Sequence, residues 1–117
     1  MYLENNSTTI ILCCLGVLIL ITGFWFRLYP PKKINFFAGY RTKNSMKDQR
    51  RWNFAHYYLG KLFILLGVIL FLLALLVSLF NASSHNLNII VVIFFIIGSF
   101  IIIFKTERAI IKKFDKW

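Results

Sequence analysis

Residues 62–80 read LFILLGVILFLLALLVSLF, nineteen positions without a single charge. A helix needs about 20 mostly apolar residues to cross roughly 30 Å of hydrocarbon. Inside lipid such a segment must be helical, because a helix satisfies its own backbone hydrogen bonds. Two further runs have the same character. Residues 7–26, STTIILCCLGVLILITGFWF, stop at Arg27, and Pro30 and Pro31 end any helix soon after. Residues 87–104, LNIIVVIFFIIGSFIIIF, stop at Lys105. The expected fold is an all-α membrane protein of three transmembrane helices, spans 7–26, 62–80 and 87–104, in one domain over residues 1–117.

The composition points the same way. Of 117 residues, 59% are apolar and 15% charged, against about 45–50% and roughly a quarter in a soluble domain. Mean hydropathy is +0.72. These values exclude a soluble enzyme core, a disordered tail and a disulfide scaffold. Cys13 and Cys14 are adjacent, and neighbours on a helix point about 100° apart, so a bridge between them would be strained. They are expected to pack as small apolar groups. Residues 1–9 carry Glu4 and no basic residue, so the first run is expected to be a retained anchor, not a cleaved signal.

Net charge is +10. In a soluble protein that would suggest nucleic acid, but here the cations sit in two blocks beside apolar runs. Nine Lys and Arg fall in residues 27–61 and five in residues 105–117, with none elsewhere. The positive-inside rule then puts the basic loop 27–61 and the tail 105–117 in the cytoplasm and the N-terminus outside. Trp25, Trp52 and Trp117, with Tyr29, Tyr40, Tyr57 and Tyr58, fall on that inner side as an aromatic belt. The bilayer is the expected partner, with anionic lipids on the cytoplasmic side and no nucleic acid. Three sequons, at Asn5, Asn6 and Asn81, lie on the expected outer side and read as chance matches in Asn-rich stretches.

Small residues recur every seven positions: Gly16 and Gly23 on the first run, Gly60, Gly67 and Ala74 on the second. A seven-residue repeat holds one seam against a partner helix, and small residues let backbones approach. These positions predict a seam between spans one and two. The second helix is expected to start at Met46, capped by Ser45 in a capping box with Asp48. At 1.5 Å per residue it would reach roughly 52 Å, leaving about four turns as a cytoplasmic extension. Asp48 and Arg51 are spaced to pair on its solvated side. In the tail, Ile110, Ile111, Phe114 and Trp117 share a face ringed by cations, which suits an amphipathic interfacial helix.

The segment from Tyr29 to Lys61 is neither span nor generic linker. Two prolines fix an extended exit, and Gly39 permits a turn closed to other residues. Arg41 offers a planar fork of five donors for a carboxylate, a phosphate or the carbonyls ending span one. Asn35 and Thr42 add uncharged hydrogen-bonding groups, and Phe36, Phe37 and Tyr40 suit the interface. His56 shares a helical face with Trp52 and Gly60, as a satisfied interfacial histidine or a ligand contact.

Pro30, Pro31, Asn35, Gly39, Tyr40, Arg41, Thr42, Ser45, Trp52, Ala55 and Gly60 together resemble the pattern of the SdpI-type membrane proteins. That family is named for an immunity protein against a bacterial sporulation-delaying toxin. The resemblance covers Tyr29 to Gly67, and the order of spans extends it. It implies a bacterial cytoplasmic-membrane protein that protects its cell against a secreted membrane-active peptide toxin. The candidate ligand or partner contacts are Asn35, Gly39, Tyr40, Arg41, Thr42, Trp52 and His56. The founding member additionally holds a cytoplasmic repressor at the membrane, and has a further N-terminal membrane region.

Other classes find less support. Asp48, His56, Glu107 and Asp115, with Arg41, form no catalytic set, and no metal-ligand spacing or cofactor motif occurs. A channel would call for polar groups at mid-membrane, where only Thr22, Ser78 and Ser99 stand. The alternative to immunity is a small regulatory or scaffolding protein that docks a cytoplasmic partner through its basic loop. Three spans bury little seam, which leaves room for a homo-oligomer.

Overall fold

The computed structural model describes residues 6–35 and 37–115. The Asn5 sequon, Phe36, Lys116 and Trp117 lie outside the described residues. Three helices make up the described chain: α1 (Ser7–Leu28), α2 (Gln49–Leu79) and α3 (His85–Phe114). All three are long and apolar enough to cross a membrane. They form a bundle 55 Å long.

Each helix ends for a local reason. The Tyr29 amide bonds Trp25 at 2.8 Å and closes α1, after which Pro30 supplies no N–H. α2 begins three residues later than its sequence expectation. Asp48 caps it, accepting from the Arg51 amide at 2.8 Å. Ser45 is not the cap, because its hydroxyl is committed to the preceding turn, as described below. At the far end Asn81 takes φ +50°. The Ala82 amide then reaches Val77 and the Asn81 amide reaches Ser78, a Schellman closure in which Asn does the work glycine usually does. Ser84 caps α3 by accepting from the Leu87 amide.

α3 does not break at Lys105. It runs straight on to Phe114, since the charge that ends a membrane-compatible run does not interrupt backbone hydrogen bonding. The described part of the tail, through Phe114, is thus the last turns of the third helix. One side of it packs inward: Thr106 and Ile110 are fully buried.

α1 and α2 lie backbone to backbone. A Cβ on Gly60 would stand 2.8 Å from the Arg27 amide nitrogen and the Gly23 carbonyl, and one on Gly23 would stand 2.9 Å from the Ile64 nitrogen. Gly16 faces the Phe71 ring and Gly67 faces Leu20. Ala74 is buried in the same core as Leu12, Ile19, Leu66 and Leu70. α3 packs more loosely: a Cβ on Gly98 would meet only the Leu66 side chain, at 3.7 Å. Leu18, Ile21, Leu72, Leu75, Ile97 and Phe100 are exposed, an apolar girdle that only lipid tails would cover without penalty.

Candidate functional site

At the basic end of the bundle the α1–α2 loop folds into a cap over all three helices. It starts at Asn35, whose side-chain oxygen accepts from the Phe37 and Ala38 amides at 2.9 and 2.8 Å. This turn delivers Gly39 at φ +99°, backbone that favours glycine. Space gives a second reason: a Cβ there would meet the His56 imidazole at 2.5 Å.

The next residue, Tyr40, turns inward and is 8% exposed. Its amide donates to His56 Nε2 at 2.8 Å, and His56 Nδ1 lies 2.8 Å from the Trp52 carbonyl. Those two partners fix the neutral tautomer, with the proton on Nδ1 and the lone pair on Nε2. The ring is fully buried, edge-on to Phe26 at 5.0 Å and against Trp52 at 4.4 Å. Trp52 in turn donates its indole N–H to the Pro31 carbonyl at 2.6 Å. His56 is therefore a satisfied structural histidine.

Tyr40 also reaches the third helix. Its hydroxyl donates to Glu107 Oε1 at 2.5 Å, while Asn44 donates to Glu107 Oε2 at 2.7 Å. Burial and the neighbouring Glu107 carboxylate push the Tyr40 phenol far above its ordinary range. Thr42 and Ser45 close the turn reciprocally. The Thr42 amide donates to Ser45 Oγ at 2.9 Å, and the Ser45 amide to Thr42 Oγ1 at 3.1 Å. Ser45 Oγ lies 3.0 Å from the Tyr40 carbonyl as well, and the side chain is fully buried.

A second tie lies beside the first. Arg51 pairs with Asp48 at 3.5 Å, but not on a solvated face, since it is 8% exposed. Its guanidinium forms a two-pronged bond to Asp115 at the end of α3. That bond holds the Asp115 carboxyl below the usual carboxylate range.

Arg41 behaves otherwise. The inward turn of Tyr40 sends Arg41 outward, where it is exposed. Among the described residues it has no hydrogen bond or ion pair, so the expected bond to the carbonyls ending α1 is absent. Sequence reasoning missed the pairing of Tyr40 and Asn44 with Glu107 and of Arg51 with Asp115. Those contacts join positions more than 60 apart, and only the unusual placement of two acids on a basic helix end marks them. Among the described residues, no group of His, Cys, Asp and Glu is arranged to hold a metal.

Comparison with known proteins matches this same stretch. A family model described as the SdpI/YfhL protein family covers residues 32–105, from the start of the cap to the first cation beyond the third apolar run. The chain belongs to that family. It is 39% identical over 95 residues, 81% of each chain, to the protein of Bacillus subtilis (strain 168) named "Uncharacterized protein YfhL". No solved structure matches. The family segment thus contains the turn from Asn35 to Ser45, His56 and the glycine seam of α2, and ends two residues before Glu107. With three apolar helices, this member of the family is a multi-pass membrane protein.

Proposed function

We propose that this protein is a bacterial membrane immunity protein, protecting its cell against a secreted membrane-active peptide. The carrying observation is the way the family segment folds. Asn35, Tyr40, Thr42, Ser45, Trp52 and His56 of the motif are all hydrogen-bonded within the cap, whereas Arg41 points outward with no hydrogen bond or ion pair among the described residues. A rigid cap that presents an arginine guanidinium suits recognition, not turnover. His56, Glu107, Asp48 and Asp115 are all held in structural bonds, which supports a protein without catalytic activity. The same outward Arg41, beside the exposed Lys43, supports the second reading, a regulatory protein docking a cytoplasmic partner.

In either reading the cap faces the cytoplasm and the N-terminus lies outside, on the strength of the fourteen-to-none distribution of basic residues. In a chain lacking Cys13 and Cys14, Ser84→Cys in intact cells should react with an impermeant thiol reagent and Lys113→Cys should not. The reverse pattern would overturn the orientation. The function is tested by expressing the protein in toxin-sensitive cells and challenging them with secreted peptides. Survival matched by empty membrane-inserted control protein would remove the immunity reading and leave the docking one.

A further inference from the structure

The face of α3 away from the cap carries a site of a different kind. Lys105, Arg108 and Lys112 follow one another at steps of three and four residues, so they share one side of the helix. With Ala109, Ile111 and Tyr58 of α2 they line a groove of about 710 Å³. All three cations are exposed, and among the described residues none has a hydrogen bond or ion pair. The acids of the same helix end are spent elsewhere, Glu107 on Tyr40 and Asn44, Asp115 on Arg51. The groove is therefore a concentration of positive charge with nothing opposite it.

Its position says what belongs there. Lys105 is the first charge after the apolar run of α3, the level at which a lipid phosphate sits. Directly above, Ile101 and Phe104 are exposed, an apolar wall for acyl chain, and Arg108 lies over the Phe104 ring at 5.7 Å. Below, the groove is polar and cationic. An occupant must be anionic at one end and aliphatic at the other. We propose that this groove is a discrete binding site for one phospholipid with an anionic headgroup, in the leaflet facing the basic end of the bundle. The phosphate and headgroup lie among Lys105, Arg108 and Lys112, with the Tyr58 ring as the side wall. This goes beyond diffuse attraction between a basic protein and a charged membrane, since it names three cations of the fourteen and excludes the rest.

The test uses the full chain in neutral detergent, with phosphatidylglycerol or phosphatidylcholine added to the micelles. Phosphatidylglycerol should raise the melting temperature saturably. Removing all three cations, in Lys105→Gln/Arg108→Gln/Lys112→Gln, should raise the half-saturating concentration about a hundredfold, roughly fivefold per cation. A control of equal charge, Lys32→Gln/Lys33→Gln/Lys43→Gln, should leave it unchanged. Native mass spectrometry should retain one phosphatidylglycerol on the wild type and the control and none on the groove variant, whatever their melting temperatures. Equal weakening in the control would overturn the proposal in favour of bulk charge. An equal shift from phosphatidylcholine would overturn it in favour of unspecific lipid. The same shift from inorganic phosphate would overturn it in favour of a soluble anion.

Discussion

α1 and α2 are joined along their length, whereas α3 is joined to them at its ends. The first pair meets through glycines whose backbones nearly touch, Gly23 against Gly60 above all. α3 is fastened at one end by Glu107 and Asp115 to the cap and α2. At the other end Thr8 is buried against Ser84 and Asn88, and Asn88 donates to Ser7 at 3.0 Å. Between these ties its middle shows lipid most of its surface. Lipid tails are as apolar as leucine, so no hydrophobic drive brings helices together in a bilayer. Two means remain, close van der Waals approach or polar bonds that have no better partner nearby. This molecule uses the first for one pair and the second for the third helix.

The largest expected effect breaks the seam. Gly60→Val places its side chain against backbone atoms on α1, the Arg27 nitrogen and the Gly23 carbonyl, and backbone cannot swing aside. Overpacking of this kind should cost about 3 kcal/mol, read as a lower melting temperature and as aggregation during purification. Gly98→Ala, at the α3 side of the core, meets only a flexible leucine at 3.7 Å. It should leave stability unchanged or raise it by up to about 1 kcal/mol, since alanine favours a helix interior over glycine. Equal effects at the two sites would erase the distinction between seam and end-fastening.

The next effect acts on the ties. Glu107→Ala leaves the Tyr40 hydroxyl and the Asn44 amide without their acceptor, worth about 1–3 kcal/mol when groups are left unsatisfied out of water. Hydrogen exchange should quicken in the basic end of α3 and in residues 40–45, while the α1–α2 seam keeps its protection. Loosening spread evenly through all three helices would show that the bundle melts as one unit and that the ties are not separable from the seam.

What the sequence revealed divides along the same line. The seam is periodic, so glycines seven apart are visible in the sequence itself. The apolar runs likewise announce themselves by length. The cap's glycine and prolines mark a turn, and so the place of the site was legible too. The direction of each side chain in that turn was not. Tyr40 and Arg41 are neighbours, and only the positive φ at Gly39 decides that the first is buried and the second exposed. Ser45 and Asp48 both have helix-capping chemistry, and the choice between them rested on Ser45 being occupied by Thr42 and Tyr40. Contacts such as Tyr40 to Glu107 leave no periodic trace, because they join one loop residue to one distant acid.

The smallest expected effect on stability is at Arg41, and it is the most telling for function. Fourteen basic residues make up the charge asymmetry on which the proposed orientation rests, and Arg41 is one of them. An exposed side chain without a partner contributes little to folding, so Arg41→Lys should leave the melting temperature unchanged within about 0.5 kcal/mol. Glu107, bonded to Tyr40 and Asn44 of the same turn, should not share that indifference. If the cap exists to present the guanidinium, the substitution should still weaken protection, because an ammonium keeps the charge and loses the planar fork. Lys43→Ala, which removes a charge from the same exposed edge, should leave protection intact. Wild-type survival with Arg41→Lys would make Arg41 one more inside charge and shift the search for the binding surface away from the cap. Loss of survival together with a lowered melting temperature would instead return Arg41 to the structural ties, against the exposed position it holds.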